Sequence, residues 1–197
     1  FFYQKKDSLI LALSKGPTSF SEALEKAFLE YSRDWFLNNR QYETCRDQDL
    51  ARWHRFADWF FEQGYQILKT RLCSAISVNT SCNHVAVSEL SAQADLVLKK
   101  GEHVYALSIF PNEPQYSVRA RKQETQAYYS LELLSQYLIS APAYGQETIS
   151  MICYLKSKED KADFLASQYT EGKCYLQMGY GGIAEATQAL LSTIQLS

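Results

Sequence analysis

The sequence has little that would staple a chain, carry it through a membrane or keep it unfolded. Its five cysteines, Cys45, Cys73, Cys82, Cys153 and Cys174, are odd in number and none forms a C-x-x-C pair. That spacing argues against a zinc ribbon and fits a reducing, cytoplasmic compartment. Only 8 glycines and 4 prolines occur in 197 residues, so no low-complexity linker is present. Apolar runs such as Leu9–Leu13 reach five residues, far short of the ~20 a membrane helix needs. A charge of one sign is missing too: 20 Lys and Arg against 22 Asp and Glu leave a formal net charge of −2. A small basic nucleic-acid-binding module is disfavoured by that balance. The start, Phe1-Phe2-Tyr3-Gln4-Lys5-Lys6, does not read as a charged n-region before an apolar core, as a secretory signal would require. The chain opens on Phe1 rather than Met, as expected of a piece of a longer or processed protein.

What is present is globular. Apolar residues make up 46 % and charged residues 21 %, enough to offset chain entropy by burial. A chain of this length buries roughly 70 % of its unfolded surface, so one domain over residues 1–197 needs no disulfides.

Residues 1–70 read as a helical N-terminal portion. Ser19-x-x-Glu22 is a capping-box pattern, in which hydroxyl and carboxylate satisfy the open amides of a first helical turn. Ala23, Leu24, Ala27, Phe28, Tyr31 and Trp35 then recur at helical spacing, with Asn38-Asn39 as the stop. A second helix opens near Asp47 or Asp49 and carries Leu50, Trp53, Phe56, Ala57, Phe60 and Phe61 on one face. Gly64 lies near its end, with Tyr65–Leu68 as its extension. The aromatic face of Trp53, Phe56 and Phe60 is expected to be buried, against a sheet or against the 19–38 helix.

Residues 71–197 change period. Leu72–Val78, Val85–Leu90 and Asp95–Leu98 have β-type composition. Lys99-Lys100-Gly101-Glu102 has turn chemistry, and His103–Phe110 is β-compatible up to Pro111. Asp95–Leu98 and His103–Phe110 are therefore expected to pair as an antiparallel hairpin. A long helix over Val118–Ile139 follows, with Ala127, Leu131, Leu134 and Leu138 on one stripe. A strand Thr148–Leu155, a helix Glu159–Ser167, a strand Lys173–Met178 and a helix Ile183–Leu196 complete the order. The fold class is α/β: N-terminal helices, then a mixed β-sheet flanked by helices.

One stretch carries more than a fold. Ala92-Gln93-Ala94-Asp95-Leu96-Val97-Leu98, a Lys-Gly turn, Val104-Tyr105-Ala106-Leu107-Ser108 and a long helix with Tyr128 and Tyr129 stand in that order. This layout, over about residues 85–155, resembles the RecB-like branch of the PD-(D/E)XK nuclease superfamily. The resemblance implies a restriction-endonuclease-like core. It also implies a metal-binding Asp on the first strand, an acid and a Lys two residues apart on the second, and a Gln and a Tyr on the helix. Two carboxylates on neighbouring strands would hold Mg²⁺ ions that activate water and stabilise the departing oxygen. The Lys would orient that water.

The sequence keeps Asp95 and departs elsewhere. Ala106 stands where the second acid belongs, Ser108 where the Lys belongs, and Ala92 in place of the expected Gly. Glu124 precedes Tyr128 where the family has Gln. The first expectation is a non-catalytic nuclease-fold domain without a cofactor. It would serve as a structural or interaction module, with a protein partner, in a DNA-processing or defence assembly. The alternative is an active Mg- or Mn-dependent nuclease whose acids migrated. Asp95, Glu89 and Glu124 would then bind metal, and Lys122 or Arg121 would replace the Lys. A third reading is an unrelated α/β protein-interaction domain using its 14 tyrosines, a residue favoured at interfaces.

Each residue also has a plainer reading. Asp95 reads as an edge-strand surface acid and Glu89 as a solvated strand residue. Arg119, Arg121 and Lys122 open a helix, where cations oppose the macrodipole. They read either as a nucleic-acid or partner patch, with DNA as the second partner class, or as a solvated face. Gly179-Tyr180-Gly181-Gly182 reads as a strand-to-helix turn. His54, His84 and His103 have no ligand spacing, and no nucleotide-binding glycine fingerprint is present. Cys153 and Cys174 are too few and too far apart in sequence to suggest an iron–sulfur site.

Overall fold

The computed structural model describes residues 2–34, 40–82, 85–112, 121–156, 174–177 and 182–196. Three helices come first: α1 (Phe2–Leu13), α2 (Pro17–Asp34) and α3 (Arg40–Glu62). Strands β1 (Gln66–Cys82), β2 (Val85–Lys100) and β3 (His103–Asn112) form a meander. Helix α4 (Arg121–Tyr144) crosses to β4 (Ile149–Lys156), and β5 (Cys174–Gln177) and α5 (Ile183–Leu196) follow. The five strands lie in the order β1-β2-β3-β4-β5. All pairings are antiparallel except β3–β4, which is parallel across α4. This is the expected α/β class with a mixed, helix-flanked sheet.

The two faces of the sheet follow from strand alternation. Leu96 and Leu98 of β2, Leu107 and Ile109 of β3, and Met151, Cys153 and Leu155 of β4 point to one face. There they join Leu9 and Leu13 of α1, Phe20, Leu24 and Phe28 of α2, and Trp53, Phe56 and Phe60 of α3. The expected burial of the α3 aromatic face holds: Trp53, Phe56 and Phe60 are each 2 % exposed or less. Trp53 meets Phe20 at 6.1 Å and Phe56 edge-on at 6.0 Å between ring centroids. The opposite face carries α4, whose Leu134, Tyr137 and Leu138 pack with Ala186, Leu190 and Ile194 of α5.

The hairpin expected between residues 95–98 and 103–110 is present, with Leu96 opposite Leu107 and Lys100 opposite His103. Its turn is tighter than expected. Only Gly101 and Glu102 connect the paired residues, and Gly101 has φ of +59°, the sign a II′-type hairpin turn needs at its first central position.

Several boundaries differ from the sequence reading. Tyr65–Leu68 does not extend α3; β1 begins at Gln66, because Gly64, at φ +67°, ends the helix and releases the chain. Val85–Leu90 and Asp95–Leu98 are parts of one 16-residue strand. Ser91–Ala94 keep it continuous by pairing with Leu72–Ala75 of β1. Ser19 is not a cap: α2 starts two residues earlier at Pro17, whose fixed φ suits a first helical position, and Gly16 supplies the capping carbonyl to Phe20 at 3.0 Å. Helix α3 begins at Arg40, ahead of Asp47. Helix α4 runs past Ile139 through Pro142 to Tyr144, where Gly145, at φ +100°, closes it. The expected stop at Asn38-Asn39 and helix at Glu159–Ser167 lie outside the described residues.

Candidate functional site

The β2–β3 hairpin pairs only as far as Leu96 and Leu107. Beyond them the strands part. β2 continues along β1 alone, and β3 continues along β4 to Asn112 opposite Lys156. A parting of this kind strips backbone groups of their ladder partners. Asp95 fills the gap, its carboxylate Oδ2 accepting the Ile109 N–H at 2.6 Å. One carboxylate oxygen thus replaces a carbonyl of the missing ladder. This gives Asp95 a structural task, and it corrects the surface-acid reading: Asp95 is 1 % exposed on an interior strand.

A buried carboxylate needs a counter-charge. It comes from α1: Lys6 Nζ lies 2.6 Å from Asp95 Oδ2, and the same ammonium stands 5.4 Å from the centre of the Phe110 ring. Gln93 Nε2 donates to the other oxygen, Oδ1, at 3.2 Å. Arg71 of β1 bonds Asp7 at 2.9 Å and so ties α1 to the sheet next to Lys6.

A cavity of about 450 Å³ opens where the strands part. Lys6, Gln93, Asp95, Ser108 and Phe110 line it from α1 and the sheet, and Glu132 and Ser135 from α4. Burial pushes the Glu132 carboxyl above the ordinary carboxylate range, and the negative charge of Asp95 adds to that. Hydrogen bonds with Gln136 and Ser108 and the charge of Lys6 act in the opposite direction. Ser108 Oγ also donates to the Gln93 carbonyl at 3.3 Å, and Glu132 Oε1 accepts from Gln136 Nε2 at 3.1 Å. Gln136 is fully buried, and its Oε1 has no hydrogen-bond partner among the described residues.

Of the residues singled out in the sequence, Asp95 lies in this cavity. Glu89 stands opposite Ser77 on β2, exposed, and does not line it. Arg121, Lys122 and Glu124 belong to the first turn of α4, but their side chains lie outside the described residues, as does Arg119 altogether. Ser108 lines the cavity with a neutral hydroxyl. Ala106, the position of the second acid in the resembling family, is 0 % exposed and packs among Leu72, Ala94, Val97 and Ile139. It faces apolar side chains and not the cavity.

Sequence reasoning missed Lys6 and Glu132. Nothing local marks Lys6, whose partner is 89 positions away. Glu132 had a signal. Glu132, Ser135, Gln136 and Ser140 form a polar stripe beside the apolar one on α4, and such a stripe normally faces water. Here Ser135, Gln136 and Ser140 are buried. Ser135 and Ser140 return their hydroxyl protons to the carbonyls of Leu131 and Gln136, both at 2.6 Å.

The residues present do not fit a divalent metal in this arrangement. Such an ion needs several oxygen ligands with uncompensated charge. Asp95 already holds an ammonium and a backbone amide on one oxygen, burial opposes the charged form of Glu132, and Ala106 and Ser108 bring no charge. Among the described residues no group of three or more His, Cys, Asp and Glu is arranged to hold a metal ion. The β4–β5 register does bring Cys153 opposite Cys174, nearer than their sequence separation suggested, but two cysteines fall short of the four that a cluster requires. No described helix is long and apolar enough to cross a membrane. No protein-family model matches the chain, and no curated protein sequence matches it.

Proposed function

We propose that the chain is a non-catalytic domain of nuclease-like fold. On this reading it acts in the cytoplasm as a structural or interaction module, engaging a protein partner within a DNA-processing or defence assembly. The order of elements supports the likeness: an Asp-bearing strand, a tight hairpin, a second strand, a crossover helix and a parallel strand. The observation that carries the non-catalytic reading is the pairing of Asp95 with Lys6 at 2.6 Å, with Ile109 N–H on the same oxygen. The one acid retained from the motif is spent on holding α1 and the parted strands together.

A second reading keeps a specific support. Glu132, on the helix after the second strand, lines the same cavity as Asp95, as an active nuclease with a migrated acid requires. The two readings part in a cleavage assay of the chain and its Asp95→Asn variant on single- and double-stranded DNA with Mg²⁺ or Mn²⁺. The non-catalytic reading expects no cleavage by either. Cleavage by the parent chain that disappears in Asp95→Asn, with folding intact by circular dichroism, overturns it in favour of the migrated-acid enzyme.

A further inference from the structure

The meander leaves one long edge open. β1 stands at the end of the five-strand order, and among the described residues no segment pairs with its outer side. We propose that this edge is the contact between two copies of the chain: the segment Leu72–Val78 pairs antiparallel with the same segment of a second copy, about a two-fold axis at Ala75, and joins two sheets into one. None of these residues lines the cavity at Asp95, and the contact goes beyond the nuclease-like reading.

The edge lacks the usual protection. An outer strand offers a row of unpaired N–H and C=O groups, which proteins guard with charge, proline or a covering element. From Leu72 to Cys82, β1 has no charged residue and no proline. Helix α5 packs on one face at Ile76 and Val78, yet Cys73, Ser74 and Ala75 are exposed in succession. Successive side chains point to opposite faces, so the strand is uncovered on both at this point. Their small size leaves the backbone within reach.

The bends of β1 indicate which strand fits the edge. Arg71 has φ of +55° and Asn79 φ of +41°, a region that costs a non-glycine residue strain. Between them β1 keeps an unbroken register with β2, from Leu72 opposite Ala94 to Ser77 opposite Glu89. Ala75 lies midway between the two bends. A straight peptide added to this edge would lose register at both. A second copy running antiparallel about Ala75 brings its own Asn79 to Arg71 and its own Arg71 to Asn79, so bend meets bend. That match selects a second copy over an unrelated extended segment.

The pairing is also self-consistent. Leu72 faces Val78 of the second copy, Cys73 faces Ser77, and Ser74 faces Ile76. Each pair joins residues of like parity, so the N–H and C=O groups that point away from β2 meet their counterparts. The half-buried Ile76 gains Ile76 of the second copy as a diagonal neighbour. Arg71, the cation nearest the segment, stays about 27 Å from its symmetry mate at ~3.4 Å per residue, beyond the reach of screened repulsion. Because the same patch serves both copies, the contact closes at two.

Sedimentation equilibrium of the parent chain is compared with Ala75→Lys and Ala75→Glu, each alone and mixed in equal amounts. Ala75 is exposed, so both variants are expected to fold, which circular dichroism checks. The parent is expected to dimerise. Each variant sets like charges directly opposite at the axis and is expected to raise the dimer dissociation constant at least tenfold. The mixture sets Lys opposite Glu and is expected to form a dimer at least tenfold tighter than either variant alone. Amide hydrogen exchange of the parent keeps the test independent of the variants: protection over Leu72–Val78 is expected to rise with protein concentration. Four results overturn the proposal: a parent chain that stays monomeric at several hundred micromolar, a dimer indifferent to Ala75→Lys, a mixture no tighter than its components, or protection of this segment that does not change with concentration. DNA cleavage by the parent would overturn the non-catalytic reading and leave the dimer standing, so the two fail separately.

Discussion

Replacing Trp53 by Ala tests the core between the sheet and helices α1 to α3. Trp53 is 1 % exposed and sits between α2 and the rest of the α3 aromatic face. The change removes an indole from close packing and leaves a cavity, a loss that typically costs about 3–5 kcal/mol. The ring contacts to Phe20 and Phe56, one tilted at 47° and one edge-on at 88°, lie in the range where aromatic pairs add about 0.5–1.5 kcal/mol each. They place the effect in the upper part of that range. Against a whole-domain stability of about 5–15 kcal/mol, such a loss takes a large share. The assay is urea unfolding followed by fluorescence and circular dichroism, with the slope checked for constancy so that the midpoint shift reports stability. Leu29→Ala is the control: Leu29 is 63 % exposed, and a surface change there should stay within about 0.5 kcal/mol. A Trp53→Ala loss below about 1 kcal/mol would mean that α2 and α3 do not pack on the sheet as described.

Two further predictions concern the cavity. The Glu132 carboxyl is raised in the folded state, so the unfolded chain gives up this proton first as pH rises. The stabilising contribution of the neutral form is complete below the ordinary carboxyl range and is lost as pH rises toward the folded value. Glu132→Gln should therefore be more stable than the parent near neutral pH, with the difference closing as pH falls to about the 4.5 of an ordinary glutamate; melting curves across pH check this, and a gap that widens in acid contradicts it. Ala106→Asp, the substitution that would restore the acid of the resembling motif, should destabilise by more than about 3 kcal/mol, because it buries an unpaired carboxylate. A well-folded Ala106→Asp variant in urea unfolding would mean that position 106 has access to the cavity.

The elements with strong local signals were legible. The Gly101 turn between two β-type runs gave the hairpin, and the helical spacing of Trp53, Phe56 and Phe60 gave the buried face of α3. Helix α5 was read at its observed bounds from Ile183 to Leu196. The early start of β1 was not legible, because Tyr65–Leu68 suits either a helix or a strand and pairing with β2 decides it. The cavity was half legible. Asp95 stood out through its motif, yet its burial depends on where β2 and β3 part, and no local pattern encodes that. Lys6 and Glu132 reach it from α1 and α4, so their roles exist only in three dimensions. The polar stripe on α4 shows the same limit: its period fits a solvent-facing surface, yet Ser135, Gln136 and Ser140 are buried.

A crystal structure of the parent chain soaked in Mn²⁺, with anomalous data collected for the metal, bears on Asp95 itself. The expected result is no anomalous peak beside Asp95, with Lys6 Nζ still within ion-pair distance of its carboxylate as it is at 2.6 Å here. A Mn²⁺ peak coordinated by Asp95 and Glu132, at the ~2.0–2.6 Å expected of a hard cation on oxygen, with Lys6 displaced, would contradict the account.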